Sequence, residues 1–314
     1  MTPAPEPPFD IPPIVTYAVP FFVLTIILEM IWVRVSKRGR YQMADSASSL
    51  AMGLGNQVVG TLFGGAIQIG AYLWAYEHRI FTLDWSWPVL VACFFGEDLA
   101  YYWFHRIAHE RRFFWASHVV HHSSQHYNLT TALRQTWTGA LGFNFIFWLP
   151  LLWLGFPPEM VVMFTGISLV YQYWVHTELI GRMWAPIEWI MNTPSHHRVH
   201  HAVNANYLDA NYAGVLIIWD RLFGSFVRED DKEKPRYGIV SQLGTFNPFR
   251  IALHEWAGIF RDVLSAKSFK EVAGYIFGPP GWSPDGSRKT SKSIKAAWAE
   301  QQALQQQAAA VPAE

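Results

Sequence analysis

The histidines of this chain constrain its fold most strongly, because 11 of the 13 lie between His105 and His201. Most of these 11 fall into three short boxes, at 105–109, 118–122 and 197–201, and the boxes lie at the edges of apolar segments. In an α-helix, residues three or four positions apart share a face, so each box can present two or three imidazoles to one point. The spacing therefore predicts a helical protein in which the boxes form one multi-histidine metal site.

The composition indicates an integral membrane protein. Apolar residues make up 51% of the chain and charged residues 15%, compared with about a quarter charged in soluble domains. The 16 tryptophans suit a protein that lies at membrane–water interfaces. The formal net charge of zero argues against a nucleic-acid partner. The single cysteine, Cys93, excludes an intrachain disulfide and a thiolate metal cage.

The apolar stretches predict four or five transmembrane helices, of which the first is near the roughly 20 residues that a bilayer requires and the fourth is short. We expect an irregular segment at 1–13, a membrane-embedded domain at 14–282 and a mobile tail without chemistry at 283–314. Two later segments, near 250–260 and 269–277, are typical of amphipathic helices that lie on the membrane. The candidate spans are 14–35, 49–76, 87–105, 138–154 and 159–176, of which the last two are typical of a hairpin.

Basic residues predict the orientation of these spans. Four of them follow the first span directly, so that end is expected in the cytoplasm and the N-terminus outside; they are Arg34, Lys37, Arg38 and Arg40. The third span then also ends in the cytoplasm, and the hairpin returns to the same side. All three boxes are therefore expected on one cytoplasmic helical cap. The membrane is either a bacterial inner membrane or the endoplasmic reticulum.

The number of histidines favours two metal ions. The boxes supply eight imidazoles, which is too many for one tetrahedral zinc but suits two ions with open positions. Neutral imidazole binds iron, zinc and copper alike, so the ligand type leaves the metal open. A membrane metal transporter is the alternative from another class, but its ligands are expected in mid-span along a path through the bilayer. A lipid-binding scaffold with a structural metal is a third possibility.

Three longer motifs resemble the fatty acid hydroxylase/sterol desaturase superfamily, and in particular its alkylglycerol monooxygenase-like branch. The resemblance covers about residues 90–230 and rests on residues 121–134, 192–201 and 211–224.

This resemblance implies a di-iron enzyme that uses O2 to hydroxylate a membrane lipid such as an alkylglycerol ether lipid or a sterol; desaturation remains the alternative within the superfamily. It implies an electron donor outside the chain, and a reduced pterin is a possible cofactor. The metal ligands that it implies are His105, His109, His118, His121, His122, His176, His197, His200 and His201.

Further residues near the boxes are candidates for supporting roles. Ligating imidazoles usually donate their second N–H to a carboxylate or carbonyl, so acidic neighbours are expected to take part. Asp98, two helical turns before His105, and Glu110, next to His109, are the predicted catalytic carboxylates. The candidates for indirect contacts to the metals are His126, Gln172, His196, Arg134 and Asp209, with Asp220 as a further carboxylate.

Overall fold

A computed structural model describes residues 5–310 of the protein, and within this range every regular element is a helix. The described residues form no β-strand, and only two isolated bridges occur, Met191–Leu216 and Ala202–Tyr237. The predicted all-α class is therefore confirmed.

Two helices are long and apolar enough to cross a membrane. The first, α1, runs from Ile14–Ser36. The second begins as α2 (Met43–Val59), continues through a π-helical turn at Gly60–Gly64 and ends as α3 (Gly65–Glu77). Only 17% of the most apolar window in each is buried inside the protein, so most of these apolar side chains face outwards. An apolar outer face of this length is what a bilayer stabilises.

The core of the protein lies between α3, α4 (Trp87–Glu110), α7 (Leu149–Leu154) and α8 (Pro158–Trp174). Cys93, Leu152 and Met160 are fully buried there, so Cys93 has the role of a small apolar residue. Two acidic residues near the middle of α4, Glu97 and Asp98, are also fully buried in the protein interior.

The segment at 138–154, which we predicted as a spanning helix, is shorter than expected. It begins with tight turns, in which Phe143 has a left-handed backbone with φ of 55°, and becomes helical only at Asn144–Trp148 (a 3-10 helix) and α7. These 11 residues rise about 19 Å, roughly two thirds of the thickness of a bilayer core. Glycines at 139 and 142 favour the turns and delay the helix.

The remaining helices carry the histidine boxes and cover them. Helix α5 (Arg112–His122) follows α4 after one extended residue, so the first two boxes pack against each other. The single helical turn α6 (Leu129–Ala132) follows α5. The later short helices are α9 (Ala185–Ile190), α10 (Pro194–His200) and α11 (Ile218–Leu222). The two predicted amphipathic helices are present as α12 (Pro248–Ser265) and α13 (Phe269–Phe277), and the tail forms α14 (Ser291–Ala310).

A buried arginine joins α12 to the histidine-bearing helix α5. The Arg112 guanidinium donates to Glu255 at 2.6 Å and to Asp262 at 2.6 Å. Removal of the Arg112 guanidinium leaves Glu255 without its ion partner, whereas Asp262 keeps its ion pair with Arg288. Because an unpaired carboxylate in a largely buried position is costly, we expect Arg112→Ala to destabilise the fold by about 3 kcal/mol. Thermal unfolding in detergent checks this, with Arg38→Ala at an exposed position as the control. An unchanged midpoint for Arg112→Ala would show that the ion pairs do not hold α12 in place.

Candidate metal centre

The structure brings the nine predicted ligand histidines together in two groups. Within each group, one ring nitrogen from every histidine lies within 4.8 Å of those of the other members. The first group contains five histidines and the second contains four. The first is His105, His109, His118, His122 and His200, and the second is His121, His176, His197 and His201.

The two three-histidine boxes divide their members between the groups, whereas the spacing alone had suggested one stripe of three. Successive residues on an α-helix are rotated by 100° about the helix axis. The third residue after a histidine therefore lies about 60° to one side of it, and the fourth lies about 40° to the other side. His118 and His122 therefore enter the first group, while His121 enters the second. The third box does the reverse, because His200 alone enters the first group.

This exchange of members places the groups side by side. The rings of His122 and His201, which belong to different groups, are stacked with centroids 4.3 Å apart. Those of His197 and His200 are 5.1 Å apart. The arrangement therefore suits two neighbouring ions and not two separate sites.

The spacing of the inward nitrogens fits ligands that share an ion. Two nitrogens about 2.1 Å from one ion, at angles between 90° and a tetrahedral angle, lie roughly 3.0–3.4 Å apart. Observed Nε2–Nε2 distances agree with this range. They are 2.9 Å for His105–His118, 3.1 Å for His118–His122, 3.1 Å for His122–His200, 3.1 Å for His121–His176, 3.0 Å for His176–His197 and 3.2 Å for His197–His201.

Backbone carbonyls orient several of these rings. His105 Nδ1 donates to the Tyr212 carbonyl at 2.7 Å, and His200 Nδ1 to the Ala210 carbonyl at 3.0 Å. His176 Nδ1 donates to the Gln172 carbonyl at 2.7 Å. Because a carbonyl only accepts, the proton lies on Nδ1 and the Nε2 lone pair points into the group. Gln172 thus acts through its backbone, while its side chain donates to Ser168 Oγ.

Burial keeps these imidazoles in the neutral form that binds metals. Burial and neighbouring histidines hold the pKa of His118, His122 and His200 well below the usual value, and burial lowers the pKa of His121 to about 4. Among the described residues, His109 Nε2 is also buried without a hydrogen-bond partner. A buried, unpaired nitrogen beside four inward lone pairs is costly unless a cation satisfies it. The residues therefore fit two divalent metal ions with imidazole ligands.

The predicted catalytic carboxylate Asp98 supports the site without contacting a ligand histidine. Its oxygens accept from Val215 N at 2.8 Å, Leu216 N at 3.0 Å and Trp219 Nε1 at 2.9 Å. Asp220 similarly accepts from the N–H groups of Tyr212 and Ala213, at 2.8 and 2.9 Å. The two buried carboxylates thereby hold the loop whose carbonyls orient His105 and His200.

Two residues of the same loop have a left-handed backbone, with φ of 48° at Asp209 and 56° at Asn211. Asp and Asn tolerate this conformation better than other residues that carry a Cβ. The Asn211 side chain binds the Val227 backbone N–H and C=O, at 2.8 and 2.7 Å, which holds the loop in this shape. Asp209 Oδ1 lies 3.6 Å from His109 Nδ1, so this carboxylate does lie beside a candidate ligand.

Three other predicted residues lie outside both groups. Glu110 forms a surface ion pair with Arg106 at 2.9 Å. His126 Nε2 lies 3.2 Å from Gln42 Oε1 near the surface. His196, although next to His197, points the other way and pairs with Glu188 at 3.0 Å.

A buried ion pair between Arg134 and a distant carboxylate supports the second box. The fully buried Arg134 donates to Asp45 Oδ1 at 3.2 Å and to Ser123 Oγ at 2.9 Å. Its carbonyl accepts from His121 Nδ1 at 3.4 Å. Asp45 lies 89 positions before Arg134 in the chain, at the start of α2, and no motif marks it. The sequence predicted Arg134 as a residue that supports the metal site indirectly. Its partner Asp45 could be identified only from the tertiary structure.

The second group has only four histidines, so the loss of one should release its ion. We expect His121→Ala to reduce bound metal from about two ions per chain to about one, because the substitution removes one of four ligands and the ring that the Arg134 carbonyl orients. Elemental analysis of purified protein measures the ratio. His126→Ala is the matched control, since His126 is near in sequence but outside both groups. Two ions in both variants would contradict the assignment.

Neutral substitutions can distinguish the roles of the two predicted carboxylates, Asp98 and Glu110. Asp98→Asn places an amide NH2 against a donor, so at least one buried donor loses its partner at a cost of about 1–3 kcal/mol. We expect a lower unfolding midpoint and partial loss of metal, measured on the same sample. Glu110→Gln should change neither quantity, because Glu110 contributes only a surface ion pair. Equal effects of the two substitutions would contradict these roles.

Comparison with known proteins supports the same assignment. Residues 90–225 match the sequence model of the fatty acid hydroxylase family. No solved structure matches the chain.

Several curated relatives match over longer stretches. The alkylglycerol monooxygenases of Xenopus tropicalis and Homo sapiens are both 40% identical, over 281 and 284 residues, and cover 89% of this chain. An ornithine lipid hydroxylase of Rhizobium tropici is 27% identical over 213 residues, which is 66% of this chain and 64% of that protein. The matched part is 62% of each alkylglycerol monooxygenase, so this chain spans less than two thirds of these relatives. The predicted resemblance is confirmed, because residues 90–225 match the fatty acid hydroxylase family model and most of this chain is similar to alkylglycerol monooxygenases.

Proposed function

We propose that the protein is a membrane-bound lipid monooxygenase that uses O2 and a di-iron centre held by the two histidine groups. The observation that carries this proposal is the meeting of nine imidazoles in two adjoining groups. The names of its relatives, alkylglycerol monooxygenase and ornithine lipid hydroxylase, support an oxygenation reaction on a lipid.

Iron is the metal that we assign, on the basis of the family, since the imidazole ligands alone fit several metals. Bound iron would supply the activation of O2 that removal of hydrogen from an unactivated C–H bond requires. In the overall reaction one oxygen atom enters the lipid as a hydroxyl group, and the other leaves as water after two electrons and two protons are supplied. The substrate that we propose is an alkylglycerol ether lipid, with a sterol as the other candidate.

The residues of this chain bind and orient the metals. Carbonyls of the 210–212 loop fix the inward nitrogens of His105 and His200. All nine histidines are largely buried, so an ion between them is surrounded mostly by protein. Asp209 Oδ1 lies 3.6 Å from His109 Nδ1, and a carboxylate on this side of the ring favours the proton on Nδ1 and leaves Nε2 for a metal.

We further propose a multi-pass arrangement with four or five spans, the N-terminus outside and the metal centre on the cytoplasmic side. The apolar helices α1 and α2–α3 support membrane insertion. The basic residues after α1, including Lys37 and Arg38, support the orientation. The short helix α7 is expected to enter the membrane only partly.

Electrons must come from outside the chain, and a reduced pterin or a separate redox protein is proposed as the donor. A metal transporter is the weaker alternative, because the candidate ligands lie on the ends of α4 and α8 and on α5 and α10, not along the apolar helices α1 or α2–α3. Desaturation is the alternative within the family.

Isotope labelling tests the proposal. Iron-loaded protein in lipid nanodiscs, supplied with a 1-O-alkylglycerol, a tetrahydropterin and 18O2, should form a lipid product that contains one 18O atom, detected by mass spectrometry. His200→Ala should form none, and His78→Ala, at an exposed position outside the groups, should form the normal amount. A product that lacks two hydrogens and contains no 18O would indicate desaturation. Absence of any lipid oxidation by iron-loaded protein, with ether lipids and sterols alike, would contradict an oxygenase.

A further inference from the structure

Helix α12 has an apolar face that the rest of the described chain leaves uncovered. Between 47% and 71% of each side chain on this face is exposed, and we call the four residues Phe249, Leu253, Phe260 and Leu264 the α12 stripe. Because successive helical residues are rotated by 100°, the four lie within about 60° of one another, along about 22 Å of the helix. Exposed apolar surface of this extent is typical of a site that contacts another molecule or a membrane.

The opposite side of α12 is buried against helices α2 and α5. Ile251 and Ala252 are fully buried with Met52 of α2 and Val120 of α5. The ion pairs that α12 makes with Arg112 lie on this buried side as well. The packing therefore fixes the direction in which the α12 stripe points and joins α12 firmly to a helix that carries candidate metal ligands.

The α12 stripe begins close to the candidate span α2–α3. The ring of Phe249 contacts that of Trp137, with centroids 5.3 Å apart, and Trp137 Nε1 donates to the Met52 carbonyl of α2 at 3.0 Å. Within two positions of Met52, helix α2 exposes the apolar side chains of Leu50 and Leu54. The stripe thus starts beside a helix whose own outer side chains are apolar, so the two can contact the same lipid phase.

Basic residues border the α12 stripe. Arg250 and Arg261 each follow a stripe residue directly, so they lie on one flank of it. The acidic side chains nearby are already engaged, because Glu255 and Asp262 bind the buried arginine of α5 and Glu271 accepts from a backbone N–H at 2.7 Å. The exposed basic residues, none of which forms an ion pair within the described range, are Arg250, Arg261, Lys267 and Lys270.

A lipid surface fits this combination better than a span or a second copy of the chain. Helix α12 contains five ionisable residues within 18, which is unfavourable for a helix that crosses the bilayer. A helix that lies in the membrane interface instead combines an apolar face in the lipid with Lys and Arg at the headgroups. A second copy docked on the same stripe would bring two positively charged edges together, which opposes association.

We propose that the α12 stripe and its basic edge dock on an anionic lipid surface, with α12 lying in the headgroup region and holding α5 beside it. This inference rests on the membrane insertion of α1 and α2–α3 under the proposed function. It adds a lipid contact that does not span the membrane and assigns negatively charged headgroups to it, because unpaired Lys and Arg side chains near a membrane attract anionic lipids.

Fluorescent labels on single introduced cysteines test the position of α12. The native Cys93 is fully buried, and unsubstituted protein gives the background labelling. Phe260→Cys places the label on the stripe, and Ser265→Cys is the matched control, since Ser265 is exposed but about 140° away around the helix. Iron-loaded protein in lipid nanodiscs is titrated with a lipid that carries a doxyl quencher and, separately, with water-soluble acrylamide.

We expect the doxyl lipid to quench the label at 260 at least about twofold more than the label at 265, because the apolar face of an interfacial helix lies about 5–10 Å within the membrane. Acrylamide should show the opposite order. Equal acrylamide quenching at the two positions would overturn the proposal. Protection of position 260 from both quenchers would also overturn it, since another protein surface would then cover the stripe.

A label on α1 separates this proposal from the proposed membrane insertion. Leu24→Cys places it at an exposed position of the first candidate span. Doxyl quenching at 24 without quenching at 260 would overturn the docking surface and leave the insertion of α1 intact. Absence of doxyl quenching at 24 would contradict the insertion, while the result at 260 would still decide the docking surface.

Removal of the basic edge tests the charge of the lipid. We expect phosphatidylglycerol, added to phosphatidylcholine nanodiscs, to increase doxyl quenching at 260 by about half, because each basic residue near the surface is attracted to anionic headgroups. The combined variant Arg250→Gln, Arg261→Gln and Lys270→Gln should abolish this increase. Its control, Arg228→Gln, Lys232→Gln and Lys234→Gln, removes the same charge from another exposed segment and should preserve the increase. An increase that survives loss of the basic edge, or no increase with the edge intact, would overturn the assignment of anionic lipid.

Discussion

The candidate metal centre depends on a small set of hydrogen bonds in which a histidine Nδ1–H donates to a backbone carbonyl. His105, His176 and His200 are all oriented in this way, by Tyr212, Gln172 and Ala210. Each bond fixes both the tautomer and the direction of the ring, so that an Nε2 lone pair points inwards. Without these bonds, histidines on helix ends would be free to rotate. The rest of the architecture can be understood as support for the carbonyls, since a carbonyl orients a ring only if its own loop is rigid.

Buried carboxylates provide that rigidity. Asp98 on α4 and Asp220 on α11 accept four backbone N–H groups of the loop between Tyr212 and Leu216. A carboxylate that accepts several backbone donors is stable when buried, because its charge is spread over strong hydrogen bonds. The ion pair between Asp45 on α2 and Arg134 after α6 likewise holds the Arg134 carbonyl that orients His121 of the second box. A charged layer within an otherwise apolar helical protein therefore serves to position the ligands.

The position of the centre relative to the apolar helices follows from the same packing. The ligand histidines belong to helix ends and to the short helices α5 and α10, while α1 and α2–α3 contribute apolar outer faces. This division places a cavity of mixed polarity, which Trp115 lines, beside the first histidine group and an apolar groove beside α1. A reaction that joins a lipid to O2 needs a surface for the lipid as well as access to the metal ligands, in agreement with the proposed function.

The all-helical class and the eight histidines of the boxes could be predicted from the sequence, because helical periodicity and histidine spacing are local properties of the chain. His176 joined the candidate ligands only through the resemblance to the family. Asp98 was identified through the same helical spacing from His105, but its partners were not, since they lie more than 110 positions later. His196 and Glu110 adjoin candidate ligands in the sequence and yet point elsewhere, because neighbours on a helix differ by 100°. The division of each box between two groups, the cavity beside Trp115 and the pairing of Asp45 with Arg134 required the tertiary structure. They arise from contacts between segments far apart in the chain, which no local pattern of residues encodes.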